Sequence, residues 1–277
     1  MVLRMPSRTA CLDLPRRLLL ASALVLCAQA ASAQSDIGVV LMHGKQGGPD
    51  RPPALSSLAG TLETKGIKVL RPRMPWAAGE WEKIAVPVET AFAQIDGFAA
   101  ELRAKGARRI VVGGHSLGAN MALSYAVERG GVAGVVMLAP GHSPGVLYQR
   151  VPEFRAAVDK AQQLVASGQG AQRLSAPDNN QGRTFSVSTT AEAYLSWMSP
   201  RGLASMPARA PRLSPDIPLL LAIGDKDPSF AMAETTIYRP AAKHPYSKYE
   251  PVQADHVGAV SSSIGVVTNW LQGLPAN

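Results

Sequence analysis

The sequence predicts an α/β fold: a mostly parallel β-sheet with helices on both faces. Three observations carry this. Apolar runs of strand length alternate with stretches of helical spacing over most of the 277 residues. The strand-like runs, among them IGVVLM, RIVV, VAGVVML and IPLLLAIG, are continuously apolar, as strands buried on both faces must be. The composition, 46% hydrophobic with no internal repeat or low-complexity tract, suits one globular core and excludes solenoids and disordered chain.

The chain opens on what reads as an export signal, residues 1–33. Arg4, Arg8, Arg16 and Arg17 form a basic region. LLLASALVLCAQA is apolar but short for a bilayer span, and Ala31-Ser32-Ala33 fits a small-x-small cleavage site. A retained membrane anchor is the rival reading. Cleavage after Ala33 sends the protein to the periplasm or medium without a stable membrane span. It also removes both cysteines, Cys11 and Cys27, so core packing rather than disulfides must hold the mature chain. Loss of four arginines and Asp13 lowers the net charge from +8 to +5. No Lys/Arg block interleaved with aromatics follows, which speaks against a nucleic-acid partner. No metal-ligand spacing or phosphate-binding loop is present, so neither metal nor cofactor is expected. Oligomeric state is not readable.

Within 34–277 the elements follow in order. Residues 37–43 read as a buried strand ending at Gly44. Residues 52–66 are helical and stop at Gly66; 67–70 are a strand ended by Pro72. Residues 88–106 place Ala91, Phe92, Ile95, Phe98 and Leu102 on one helical face and stop at Gly106. Strand 109–114 leads into a helix to Gly130, and 132–140 is another buried strand. Residues 217–224 and 248–252 are two more strands, with helices near 231–242 and 258–272. The stretch 144–212 breaks the rhythm. It holds helical segments at 153–168 and 190–200 and no strong strand, and it reads equally as a lid over the active face or as surface decoration.

In parallel sheets ligands bind beyond the carboxyl ends of the strands. His43, Ser116, Asp227 and His256 all follow strands. A serine hydroxyl needs a base, an orienting acid, and donors for the developing oxyanion. Ser116 lies in Gly-His-Ser-Leu-Gly, with a strand before it and a helix after. Gly114 and Gly118 would permit a sharp turn, aiming the Leu117 N–H into the site.

With His43-Gly44-Lys45 after the first strand, the chain resembles the α/β-hydrolase family over most of 36–273, with 144–212 outside the likeness. The resemblance implies that the Lys45 N–H is the second oxyanion donor, with Gln46 beside it. It implies that His43 supports the turn rather than acting in catalysis. Either Asp225 or Asp227 follows the late strand, and the family spacing, Gly224 plus three, favours Asp227. His256 stands where the family places its base, and the order Ser116, Asp227, His256 is the family's. Lys45 departs from the aromatic or aliphatic residue common there. The first strand begins close to the cleavage site, implying a roughly six-stranded sheet without an opening antiparallel pair. Among the other histidines, His115 is expected to point away from the nucleophile, His142 to line the pocket, and His244 to lie in a surface loop. Trp76 and Trp81 are candidates for the pocket or for ordinary packing, and Gln46 is a further pocket candidate.

The activity so implied is serine hydrolysis of a small or polymeric carboxylic ester through an acyl-enzyme. Acyl transfer and thioester or amide cleavage use the same machinery. A non-catalytic binding protein on the same fold is the alternative of another class.

Overall fold

The structure is a computed structural model that describes residues 35–275, so the expected export signal lies outside the described residues. Strand β1 (Ile37–Met42) is followed by α1 (Pro53–Thr64), β2 (Lys68–Leu70), α2 (Val88–Ala104), β3 (Arg109–Ser116), α3 (Leu117–Arg129) and β4 (Gly134–Pro140). The stretch that breaks the rhythm holds α4 (Pro144–Arg150), α5 (Pro152–Ala166), β5 (Arg173–Asn180), β6 (Arg183–Thr190), α6 (Ala191–Met198) and the short α7 (Met206–Arg209). Then come β7 (Leu219–Gly224), α8 (Phe230–Ala233), a π-helical turn at Glu234–Tyr238, α9 (Arg239–Ala241), β8 (Lys248–Val252), α10 (Gly258–Ser262) and α11 (Ile264–Gln272). Local chemistry sets several boundaries. Proline opens α1 and α5, where its missing N–H is no loss. Gly66 and Gly106 end α1 and α2 with φ of 75° and 84°. The Thr190 side chain caps α6 by accepting from the Ala193 N–H at 3.3 Å.

Six strands form one sheet in the order β2-β1-β3-β4-β7-β8, and every neighbouring pair is parallel. The two-residue period of the strands divides the core. Val40, Met42, Val112, Val135, Met137 and Leu221 face the layer containing α2 and α3. Ile37, Val39, Leu41, Val111, Val136 and Leu220 face the layer containing α1 and α11. Both faces of the four central strands are therefore dry, which is why those strands are apolar without alternation. Among the described residues, no helix is long and apolar enough to cross a membrane.

One expectation is corrected. Residues 144–212 do contain strands: β5 and β6 pair antiparallel as a separate hairpin, with Asn180 opposite Arg183. Gln181 and Gly182 turn the chain at φ of 50° and 80°, the positive values that a two-residue hairpin turn requires. The strand sequence RLSAPDNN hides this, being polar and carrying Pro177, which the free edge of a two-stranded ribbon tolerates. Burial falls only on alternate positions, Ala176 and Asp178 on β5 and Val187 and Thr189 on β6. The hairpin is tied to the chain between β2 and α2. Thr189 Oγ1 donates to Ile84 O at 2.8 Å, and the Ser188 N–H donates to Glu82 O at 3.1 Å.

The same stretch covers α3. Residues 117–126 of that helix are buried on every side, which a helix tolerates only under cover. Asn120 Nδ2 donates to Ala204 O at 2.8 Å and to His142 O at 3.0 Å, fastening the cover to the helix. At the other end of the β3–α3 connection, α3 presses against the end of β1. A Cβ at Gly118 would sit 2.5 Å from Met42 O and 2.6 Å from His43 O. His115, near the end of β3, is buried and donates from Nε2 to His256 O at 3.0 Å. Desolvation, followed by the neighbouring His256, holds its pKa down at about 4.

Two outcomes follow from this packing. Gly118→Ala should lower the unfolding free energy by about 1–3 kcal/mol, read from urea midpoints; an unchanged midpoint would show that α3 has room to spare. His115 concerns pH. The free imidazole titrates at 6.5 and the folded one at about 4. Between these values the unfolded chain binds a proton that the folded chain refuses. Stability is thus complete above pH 6.5 and drops as pH falls towards 4, by up to about 1.4 kcal/mol per unit. Urea midpoints measured from pH 7 down to 4.5 should decline, and decline less steeply in His115→Gln.

Candidate active site

Ser116 sits where β3 breaks into α3, at φ 57° and ψ −117°. A non-glycine residue in this region is strained, and such strain clusters at functional turns. The β3–β4 register slips at the same point: His115 pairs with Leu138, but Ser116 pairs with Pro140. The slip leaves Ser116 opposite Pro140, which has no backbone N–H to give the ladder. The serine side chain opens onto a cavity of about 610 Å³ shared with Asp227, His256, His142 and the hairpin tip.

The loop after β7 supplies the acid. Asp227 is 5% exposed, and Oδ1 accepts the Ser229 N–H at 2.7 Å. Oδ2 lies 2.6 Å from His256 Nδ1. Burial works against the carboxylate charge. The His256 hydrogen bond, the Ser229 N–H and the nearby imidazoles outweigh it, so the pKa lies below the usual carboxylate value. With Nδ1 donating to Asp227, Nε2 of His256 is left to accept a proton. Asp225, the alternative acid, is exposed and instead accepts the Ala254 N–H at 3.1 Å.

The serine and histidine meet at Gly141. A Cβ there would lie 2.6 Å from Ser116 Oγ and 3.5 Å from His256 Cε1. Among the described residues no hydrogen bond joins Ser116 Oγ to His256. Catalytic hydrogen bonds are commonly long in free enzymes and tighten on substrate.

The loop after β1 supplies the facing wall. His43 is buried, and burial lowers its pKa. Nε2 accepts the Met74 N–H at 3.1 Å, so Nδ1 carries the proton and donates to Gly44 O at 2.8 Å. Trp76 Nε1 donates to His43 O at 2.7 Å. The histidine thus braces the turn. The turn itself touches Ser116: a Cβ on Gly44 would lie 3.0 Å from Ser116 Cβ. Among the described residues, neither the Lys45 N–H nor the Leu117 N–H donates a hydrogen bond, so both are free for a ligand.

The Lys45 side chain runs to the hairpin. Nζ lies 2.7 and 3.0 Å from the two oxygens of Asp178 and donates to Asn179 O at 2.9 Å. It also sits 5.0 Å from the centre of the Trp81 ring. Asp178 Oδ2 accepts a further bond from Trp81 Nε1 at 2.6 Å. The side chains of the pair are 4% and 0% exposed. Desolvation pulls the Lys45 pKa down, and the Asp178 carboxylate opposes it.

Three pocket candidates lie elsewhere. Trp76 and Trp81 do not line the cavity; both are fully buried and pack edge-on against Trp197 of α6, at 5.9 and 5.1 Å between centroids. Gln46 also stands behind the wall. Its Nε2 donates to Glu82 Oε1 at 2.7 Å, and its Oε1 accepts Asn180 Nδ2 at 2.8 Å. His142 does line the cavity. It is held by Trp197 O at 3.0 Å from Nε2, and desolvation lowers its pKa to about 4. His244 lies in a loop, where Nδ1 accepts the Tyr246 N–H at 3.0 Å. His115 faces the backbone of the His256 loop. The sequence reading missed Asp178 and the hairpin tip. The one available signal was a lysine directly after a buried strand, and nothing located its counter-charge 133 residues away.

The chain was compared with known proteins. The family model described as the alpha/beta hydrolase family matches residues 39–264. No curated protein sequence matches. A monoacylglycerol lipase of Paleococcus ferrophilus superimposes with a TM-score of 0.57 at 20% identity, covering 86% of this chain and 95% of its own. The esterase domain of a Rhodothermus marinus protein gives 0.56 at 18%, covering 87% and 89%. A thermostable carboxyl esterase of Bacillus coagulans gives 0.59 at 11%, covering 87% and 91%. At these identities the likeness concerns the fold. The family model, spanning most of the chain from within β1 to the start of α11, decides the membership: this protein belongs to the α/β-hydrolase family.

Proposed function

We propose that the protein hydrolyses carboxylic esters through an acyl-enzyme on Ser116. The observation that supports this most is the 2.6 Å bond from His256 Nδ1 to buried Asp227, with the imidazole edge and Ser116 Oγ both facing Gly141. Hydrolysis in the family and in the lipase and esterase neighbours supports an ester as substrate. In this reading His256 Nε2 takes the Ser116 proton as Oγ attacks the carbonyl carbon. Asp227 stabilises the resulting imidazolium, and the Lys45 and Leu117 N–H groups receive the oxyanion. Collapse expels the alcohol, protonated by His256. A water activated by the same imidazole then releases the acid.

The remaining part of the reading concerns location. The basic, apolar and small-residue succession in 1–33 supports export, with cleavage after Ala33.

Two experiments test these readings. A fluorophosphonate probe should label the folded protein, and Ser116→Ala should abolish labelling. On p-nitrophenyl esters of increasing chain length, Asp227→Asn should lower kcat by about 10³–10⁴-fold, whereas Asp225→Asn should stay within about threefold. Folded wild type that neither labels nor turns over would favour a binding protein. For export, N-terminal sequencing of protein from periplasm or medium should begin at Gln34; an intact Met1 in that fraction would overturn the cleavage.

A further inference from the structure

We infer that Asp178 positions the oxyanion-binding loop, acting through the side chain of Lys45. The inference rests on the ester-hydrolase reading and extends it to a residue on the inserted hairpin. The same residue that offers a backbone N–H beside Ser116 anchors its ammonium group on Asp178 and Asn179 O. Fixing Nζ at three contacts restricts the rotamers of Lys45 and, with them, the plane of the Gly44–Lys45 peptide. On the carbonyl side that peptide is held by His43 Nδ1 and the Gly47 N–H, which donate to Gly44 O at 2.8 and 3.0 Å; the Lys45 side chain adds the restraint on the side of its N–H.

The anchor is itself rigid. Trp81 Nε1 holds Asp178 Oδ2 at 2.6 Å, and the Tyr194 hydroxyl donates to Pro177 O at 2.8 Å. The hairpin tip, Asn179 to Gly182, also lines the cavity. One ion pair therefore sets both the oxyanion donor and the substrate wall opposite it. Asp178 touches no reacting atom; it is a positioning residue.

The test must separate positioning from stability. Asp178→Asn and Lys45→Met each strand a polar partner in a dry site, so both should destabilise. The double variant Lys45→Met/Asp178→Asn removes both charges and should regain much of the lost stability. Steady-state kinetics on p-nitrophenyl acetate should show kcat of the folded double variant reduced about 10–100-fold, with KM within about threefold. Inhibition by a trifluoromethyl ketone, whose adduct carries the oxyanion, should weaken by the same factor as kcat. A double variant with wild-type kcat and undiminished ketone inhibition would overturn the inference while leaving the hydrolase reading intact. Folded wild type without turnover of any ester would sink the hydrolase reading and this inference together.

Discussion

The site depends on how closely α3 approaches the end of β1. Gly118 lets the first turn of the helix rest on the carbonyls of Met42 and His43. That contact brings the helix N-terminus, with its free Leu117 N–H, against the His43-Gly44-Lys45 turn. It also forces the chain through Ser116 at a φ that side chains resist. The strain is held because the strand before and residues 117–126 of the helix after are buried, so neither can relax outward without opening the core. Position, rather than any unusual chemistry of the serine itself, is what the fold supplies.

Electrostatics completes the arrangement. Asp227 keeps its charge although buried, because His256 and the Ser229 N–H replace the water it loses. His115 sits nearby, and its low pKa keeps it neutral where a second cation would compete for that carboxylate. His115 further grips the carbonyl of His256, so that residue is held through its ring on one side and its backbone on the other.

The sheet was legible because burial on both faces leaves an unmistakable pattern: four apolar runs at β1, β3, β4 and β7, with the edge strands β2 and β8 read from shorter, mixed stretches. Ser116, Asp227 and His256 were legible because each follows a strand so read. The preference for Asp227 over Asp225 came from a two-residue difference in spacing, and the loop geometry follows it: only the third residue after Gly224 reaches the imidazole. The hairpin was not legible. Its buried face contributes Ala176, Asp178, Val187 and Thr189, two of them polar, so hydrophobic periodicity had almost nothing to register. Trp76 and Trp81 lie past a strand end, as pocket residues do, yet pack inward. Spacing cannot say which way a loop tryptophan turns; here the carbonyl of His43 and the carboxylate of Asp178 capture the two indole N–H groups.

The hairpin bears on whether the inserted stretch covers the site as a hinged lid or as a fixed wall. A lid must leave at modest cost, so its contacts with the body should be few, wet and polar. The contacts here are of the other kind. Lifting β5 would separate Lys45 from Asp178, a buried pair joined at 2.7 Å. It would also uncover Trp81 where it packs on Trp197, and break the bonds from Ser188 and Thr189 to the chain before α2. These restraints act together, because all of them join the hairpin and α6 to residues 45–84. The tip that lines the cavity is held by the same bonds that hold the Lys45 side chain. The hairpin tip is therefore a wall already in place, and the exposed Lys226 and Val257 line the same cavity.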